Sequence, residues 1–210
     1  MRSCPHCQAA LESPLGCRAC GRVLALDDGL TPFELFGLPL AFDAPAEAVK
    51  RRLVQSTRLV HPDFHAQASA EQRALAEQSS ARLNEAHALL TDDVARADWI
   101  VRHLGGPDEN SEREMPRAFL LEVLEWNETL ETARAEPESP ANRAALATLS
   151  TELDERRVAA LANVARRLTP LPARAAPELR AVRQELNALR YLDRALAEIA
   201  ALRAGNPAHR

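Results

Sequence analysis

Residues 58–65 read RLVHPDFH, and the fold of the first half depends on what the middle three do. Upstream, residues 44–60 carry Val49, Leu53 and Val60 at helical spacing on one face, with Ser56 between them. The other face holds Lys50, Arg51, Arg52 and Arg58. Pro62 has a fixed φ and no N–H, so it ends this helix or sets a turn. Downstream, Leu75, Leu83, Ala86 and Leu90 mark another helix from about Ala70 to Leu90. His61-Pro62-Asp63 is therefore a corner between two helices. It either punctuates the chain or presents a histidine and a carboxylate to a partner.

Helices continue on both sides of this pair. Thr31-Pro32-Phe33-Glu34 fits an N-cap, proline at the first helical position and glutamate at the third. It opens a short helix with Phe33, Leu35 and Phe36, closed by Gly37. Val94 to Leu104 forms another, with Trp99, Ile100 and Leu104, before Gly105-Gly106-Pro107. Residues 107–116 are polar and end in proline, as a linker does. Three longer helices follow, from about Pro116 to Ala135, Pro140 to Leu168 and Pro177 to Ala204. Leu146, Leu149, Leu153, Leu161, Val164 and Leu168 line the second. Leu179, Val182, Leu186, Leu189, Leu196 and Ile199 line the third at near-heptad spacing. Short connections favour antiparallel neighbours, so the second half is expected to be a three-helix bundle.

Composition agrees with an all-α fold. Of 210 residues, 46 % are apolar and only 4 % aromatic, whereas strands favour the aromatic and β-branched types. A formal charge of −4 gives no support to wholesale nucleic-acid binding. No apolar run approaches the roughly 18 residues of a membrane span, and no charged leader followed by an apolar core opens the chain. A cytoplasmic protein is expected, with neither nucleic acid nor membrane as partner.

All four cysteines lie in the first 20 residues, as Cys4-Pro-His-Cys7 and Cys17-Arg-Ala-Cys20. Two CxxC turns at this separation can aim four thiolates at one point, as tetrahedral zinc requires. So short a segment has almost no core, and one structural zinc ion would supply its folding free energy. Disulfides or a dithiol redox pair are the alternatives, and a reducing compartment argues against stable disulfides. His6 could ligate, but four cysteines already fill the site. His61 and His65, four apart, would suit a metal on a continuous helix. Pro62 interrupts that helix and no third ligand stands nearby, so a hydrolytic metal site is not expected.

His-Pro-Asp is expected by chance about 0.02 times in a chain of this composition. It also lies between two helices inside a four-helix segment. Residues 30–104 resemble the J-domain of DnaJ-type co-chaperones. The stretches FELFGLP (33–39), RLVHPDF (58–64), LNEAHALL (83–90) and FLLEVLEWNETLE (119–131) together resemble the HscB-type co-chaperone of iron–sulfur cluster assembly. The double CxxC is similar to the zinc-binding extension of some members, notably eukaryotic ones. This organisation implies a zinc-binding module over 1–29, a J-domain over 30–106 and a scaffold-binding three-helix domain over 107–210.

The resemblance implies a mechanism. Pro62 stiffens the corner, so His61 and Asp63 bind with little ordering cost. Asp63 suits a charge-assisted hydrogen bond from an arginine, placed by the family in a heat-shock ATPase chaperone of the HscA/DnaK class. Lys50, Arg51, Arg52 and Arg58 would steer the helix onto an acidic surface of that chaperone; alone, they would be an ordinary solvated face.

On a helical wheel, Phe119, Val123, Trp126, Leu130 and Ala133 form a core stripe. Leu120, Leu121 and Leu124 fall outside it beside Glu125 and Glu128. Either the helix packs on two sides, or it exposes an acid-rimmed apolar patch of the kind that marks protein contacts. Tyr191, the only tyrosine, lies off the stripe of the last helix. By resemblance, Leu120, Leu121, Leu124, Glu125, Glu128 and Tyr191 hold an IscU-type iron–sulfur cluster scaffold protein. The expected function is a non-enzymatic adaptor that delivers the scaffold to the chaperone and triggers ATP hydrolysis there. The alternative is another J-domain protein whose cysteine module recognises a different client or RNA. Phe64 stands where general J-proteins commonly carry lysine. The Gly/Phe-rich linker and CxxCxGxG repeats of that class are also missing.

Overall fold

The computed structural model of the chain describes residues 3–115 and 117–205. Pro116, the expected start of the first bundle helix, lies outside the described residues, as do positions 1–2 and 206–210. The fold is all-α: α1 (Pro32–Leu35), α2 (Ala46–Val60), α3 (Ala70–Thr91), α4 (Asp93–His103), α5 (Arg117–Ala135), α6 (Pro140–Arg167) and α7 (Glu178–Arg203). Among the described residues, β pairing is limited to two isolated bridges, Ser3–Ala10 and Gly16–Val23. No helix among them is long and apolar enough to cross a membrane. Contacts divide the chain into two compact units after Arg96, inside α4.

In the first unit, α1 starts where its sequence demands. The Glu34 N–H donates to Thr31 Oγ1 at 3.1 Å, and the Thr31 N–H donates to Glu34 Oε2 at 2.9 Å. This reciprocal capping box satisfies donors that the first turn would otherwise leave open. Both α1 and α2 pack on α3, burying Phe33, Leu35, Phe36, Val49, Val60, Leu83, Ala86 and Leu90. Leu53 and Leu75 are only half-buried, while the small residues Ser56, Ala76 and Ser79 are buried. Small side chains at those positions leave room for helix backbones to approach.

One buried charge closes this unit. Arg96 is 5 % exposed, and its Nε donates to the Phe42 carbonyl at 2.7 Å. Its Nη1 donates to the Leu90 carbonyl at 2.6 Å, and Nη2 meets Asp93. Its guanidinium also lies 5.0 Å above the Phe42 ring. A buried cation is tolerable only when paired and hydrogen-bonded, and Arg96 is both.

In the second unit, α6 packs on α7 and α5 packs on both. The core comprises Trp126, Leu130, Leu146, Leu149, Leu153, Val164, Leu168, Leu179, Val182, Leu186, Leu189, Leu192 and Ile199. Leu161 and Leu196, expected in it, are half-buried. The polar stretch after Gly106 is not free in space. Asn187 Nδ2 donates to the Glu112 carbonyl at 2.8 Å, and Arg183 Nε donates to the Pro107 carbonyl at 3.0 Å. Arg180 pairs with Glu112 and, at 3.0 Å, with Glu114. The Glu114 backbone N–H and the Arg180 guanidinium hold the Glu112 carboxyl below the usual glutamate range, against the effect of burial. Gly106 is required here, because a Cβ would sit 2.8 Å from both Leu179 Cβ and Val101 Cγ1.

Arg183 is fully buried in α7. Its Nη1 lies 2.6 Å from Asp98 Oδ1, close enough for ionic attraction, although neither Nη atom makes a directed hydrogen bond. Asp98 also receives Arg102 at 2.9 Å and Arg190 at 3.5 Å. Three cations around one carboxylate make it the electrostatic centre of this part of the unit.

Candidate functional site

The His-Pro-Asp corner is built from its backbone. Val60 is fully buried and anchors the end of α2. The His61 N–H still donates to the Thr57 carbonyl at 2.8 Å, but His61 itself has extended backbone, φ −62° and ψ 128°. A residue before proline favours that conformation, so the helix stops there. Pro62–His65 then forms one 3-10 turn, in which the Phe64 N–H donates to the His61 carbonyl at 3.0 Å.

Side chains lock the corner. His61 Nδ1 accepts from the Asp63 N–H at 3.3 Å. His65 is buried, and its Nε2–H donates to the Leu59 carbonyl at 2.8 Å. His65 therefore serves the corner's own structure. The Asp63 side chain is 87 % exposed and that of His61 43 %. Phe64 is 70 % exposed, with its ring edge-on to His61 at 5.9 Å. Lys50, Arg51, Arg52 and Arg58 are all exposed on α2. The arrangement is a rigid turn offering a free carboxylate, an imidazole and a bare aromatic ring beside a basic helix face.

The cysteines form a second constellation. Each CxxC is a tight knuckle. The Cys4 N–H donates to the Ala9 carbonyl at 2.8 Å, and the Cys17 N–H donates to the Arg22 carbonyl at 2.9 Å. The residue after each knuckle, Gln8 or Gly21, has left-handed backbone, φ 62° and 71°. The four sulfurs lie within 4.8 Å of one another, with Cys4–Cys20 at 3.8 Å and Cys7–Cys17 at 3.6 Å. A metal–sulfur distance of about 2.3 Å in a tetrahedron puts sulfurs about 3.8 Å apart, so the donor set fits a tetrahedral, thiophilic ion such as zinc. His6 turns away, its Nδ1 3.3 Å from Arg22.

Without a cation these thiols resist joint ionisation. Burial raises the Cys4 thiol, but backbone N–H groups of His6 and Cys7 outweigh it and bring Cys4 down to about 7. Cys7 receives the Ala9 N–H, which lowers it, yet burial and the three other thiols push it up to about 12. A divalent ion removes that conflict by stabilising thiolates together.

The cysteine segment is also docked. Gln72 of α3 accepts from the Val23 N–H at 2.9 Å and donates to the Val23 carbonyl at 3.1 Å. Arg82 reaches the carbonyls of Asp27 and Leu30 at 3.1 and 3.3 Å. Val23 and Leu15 are buried.

The third constellation lies on the bundle. Leu120, Leu121 and Leu124 are 45, 55 and 59 % exposed, and Glu125 and Glu128 are exposed with them. Tyr191 is 40 % exposed. Phe119 stands edge-on to both Tyr191, at 6.1 Å, and Trp126, at 5.5 Å. Sequence reasoning did not single out Val158, 67 % exposed on α6, or Arg18 in the second knuckle.

Residues 115–200 match the family model described as the HSCB C-terminal oligomerisation domain. A co-chaperone protein HscB homolog of Bordetella petrii is 38 % identical over 143 residues, 63 % of this chain and 82 % of that protein. The chain belongs to the HscB co-chaperone family. A second HscB homolog, from Mannheimia succiniciproducens, is 34 % identical over 126 residues, 59 % of this chain and 70 % of its own. The structure of the chaperone HscB from Vibrio cholerae is similar with a TM-score of 0.70 and 25 % identity, covering 84 % of this chain and 99 % of that one. The crystal structure of the human co-chaperone protein HscB matches with a TM-score of 0.77 over 95 % of this chain and 97 % of its own. At 24 % identity that second likeness speaks for the HscB fold alone.

Proposed function

We infer that the chain is a cytoplasmic, non-enzymatic co-chaperone of iron–sulfur cluster assembly. Its bundle, residues 107–210, binds an IscU-type scaffold protein through Leu120, Leu121, Leu124, Glu125, Glu128 and Tyr191. Its J-domain, residues 30–106, engages a heat-shock ATPase chaperone of the HscA/DnaK class through His61, Pro62, Asp63 and the basic face of Lys50, Arg51, Arg52 and Arg58. Cys4, Cys7, Cys17 and Cys20 hold one structural zinc ion.

The observation that carries this reading is the corner. Asp63 has no strong internal partner: its carboxylate is 3.6 Å from a ring nitrogen already occupied as an acceptor. A free, rigidly mounted carboxylate is an unused half of a charge-assisted hydrogen bond, and it stands at the end of the helix that carries the exposed basic face. An arginine on the chaperone completes it. The exposed leucines supply apolar contact for the scaffold, and the glutamates beside them set orientation.

The test is the chaperone's ATP hydrolysis rate with and without this protein and the scaffold. Asp63→Asn keeps the size and the turn but removes the charge. Stimulation should fall to the unstimulated rate while helicity by circular dichroism is unchanged. Full stimulation by Asp63→Asn refutes the role of the corner.

A further inference from the structure

The docked cysteine segment borders the corner itself. Between the second knuckle and α2 runs a groove with Leu59 and Phe64 as its apolar surface and Arg18 and Arg58 as its cations. No carboxylate is among its lining residues. Arg18, Gln55 and Leu59 also form the wall of a neighbouring groove that holds Arg52. Arg52, Arg18 and Arg58 thus lie along one seam between the knuckle and the helix. Arg18 has only a loose, exposed ion pair with Glu12, at 3.7 Å, and such pairs are worth little in water.

We propose that the metal knuckle is a second half of the chaperone-binding surface, with Arg18 and Arg58 clasping an acidic segment of the chaperone whose apolar side chain covers Phe64 and Leu59. This rests on the J-domain reading above and gives the cysteine module its purpose within it. Three observations select this occupant. The groove's cations call for carboxylates on the partner, since its own lining supplies none and Glu12 pairs with Arg18 only loosely, at 3.7 Å. Phe64, 70 % exposed, needs an apolar cover. The groove is also continuous with the corner, so a partner touching Asp63 is already beside it. Holding Arg18 in place is the work of the metal and of Gln72, which fixes Val23 to α3. The segment lacks a core able to do so alone.

The experiment uses the full chain, metal-loaded, with a purified HscA/DnaK-class chaperone, measuring the concentration that gives half-maximal ATPase stimulation. Charge reversal at an exposed rim acts mainly on encounter and dissociation of the pair. Arg18→Glu should raise the half-maximal concentration about five- to tenfold, and Arg18→Ala about threefold, with maximal stimulation retained. The gap should shrink as salt rises. Metal content and melting temperature of both variants should match the parent, since Arg18 is exposed. Cys17→Ser, lacking metal, should show a rise at least as large as Arg18→Ala.

Unchanged half-maximal concentration for Arg18→Glu, with stimulation still abolished by Asp63→Asn, overturns the proposal and leaves the corner's role standing. Stimulation surviving Asp63→Asn removes the reading beneath it. Labelled single-stranded RNA offered to the same variants gives the remaining outcome. RNA binding lost in Arg18→Glu, with chaperone half-saturation unmoved, assigns the groove to nucleic acid and also overturns the proposal.

Discussion

Replacing both Leu120 and Leu124 by alanine should weaken scaffold binding about 30-fold while leaving the bundle folded. Fully burying a leucine is worth about 1.5–3 kcal/mol relative to full exposure. Leu120 and Leu124 are 45 and 59 % exposed, so roughly half of each remains for a partner to cover. Alanine keeps part of that area, which leaves about 1 kcal/mol lost per site. Together the loss is about 2 kcal/mol, and 1.4 kcal/mol is tenfold in Kd. Their own fold depends on them little, because surface substitutions usually shift stability by under about 0.5 kcal/mol. Leu130, 2 % exposed on the same helix, is the contrast: Leu130→Ala should cost about 2–5 kcal/mol of stability. Titration calorimetry with purified scaffold, paired with urea denaturation, separates the two effects. A rise in Kd below about threefold for the double variant refutes the assignment. So does a loss of binding that merely follows a loss of helicity.

Other consequences can be checked in the same preparations. Asp98→Ala leaves Arg183 buried without its carboxylate, and urea denaturation should show a loss of about 3–5 kcal/mol, because an uncompensated buried charge is costly. Glu112 is held below its ordinary value, so its contribution is present above the normal glutamate range and fades as pH falls through the lowered value. Glu112→Gln should therefore be less stable than the parent at neutral pH and converge with it in acid, as melting temperatures across pH would record. Metal analysis should give about one equivalent of zinc, lost in Cys17→Ser. Hydrogen exchange after chelation should then speed up at the Val23 amide and leave the amides of α6 and α7 unchanged.

Much of the architecture was legible because local chemistry and overall fold agree. Proline, glycine and capping residues punctuate the chain so strongly that the boundaries of α2, α3 and α6 follow from them within a residue or two. The wheel sets Leu120, Leu121 and Leu124 outside the core stripe of α5 but cannot tell a second packed side from an exposed patch; all three are exposed. Hydrophobic periodicity fails where charge goes inside. Arg96, Arg183 and Glu112 are buried, yet each looks like a surface residue until its distant partners are known. Arg183 needs Asp98 and the Pro107 carbonyl, far away in sequence. The polar run after Gly106 misleads for the same reason, as its carbonyls are taken by side chains of α7. Placement of the cysteine segment was equally hidden. CxxC spacing announces a metal, but nothing in it says which helix the knuckles rest on.

That attachment has a property of its own. Gln72 bonds to the N–H and C=O of Val23, and Arg82 bonds to the carbonyls of Asp27 and Leu30. Every one of these bonds ends on main-chain atoms of the segment it holds. The hydrogen-bonded latch therefore reads the strip's main chain, while the buried side chains of Leu15 and Val23 add the apolar part of the attachment. A glutamine and an arginine ten positions apart on one helix thus grip the strip by atoms that every residue type except proline carries.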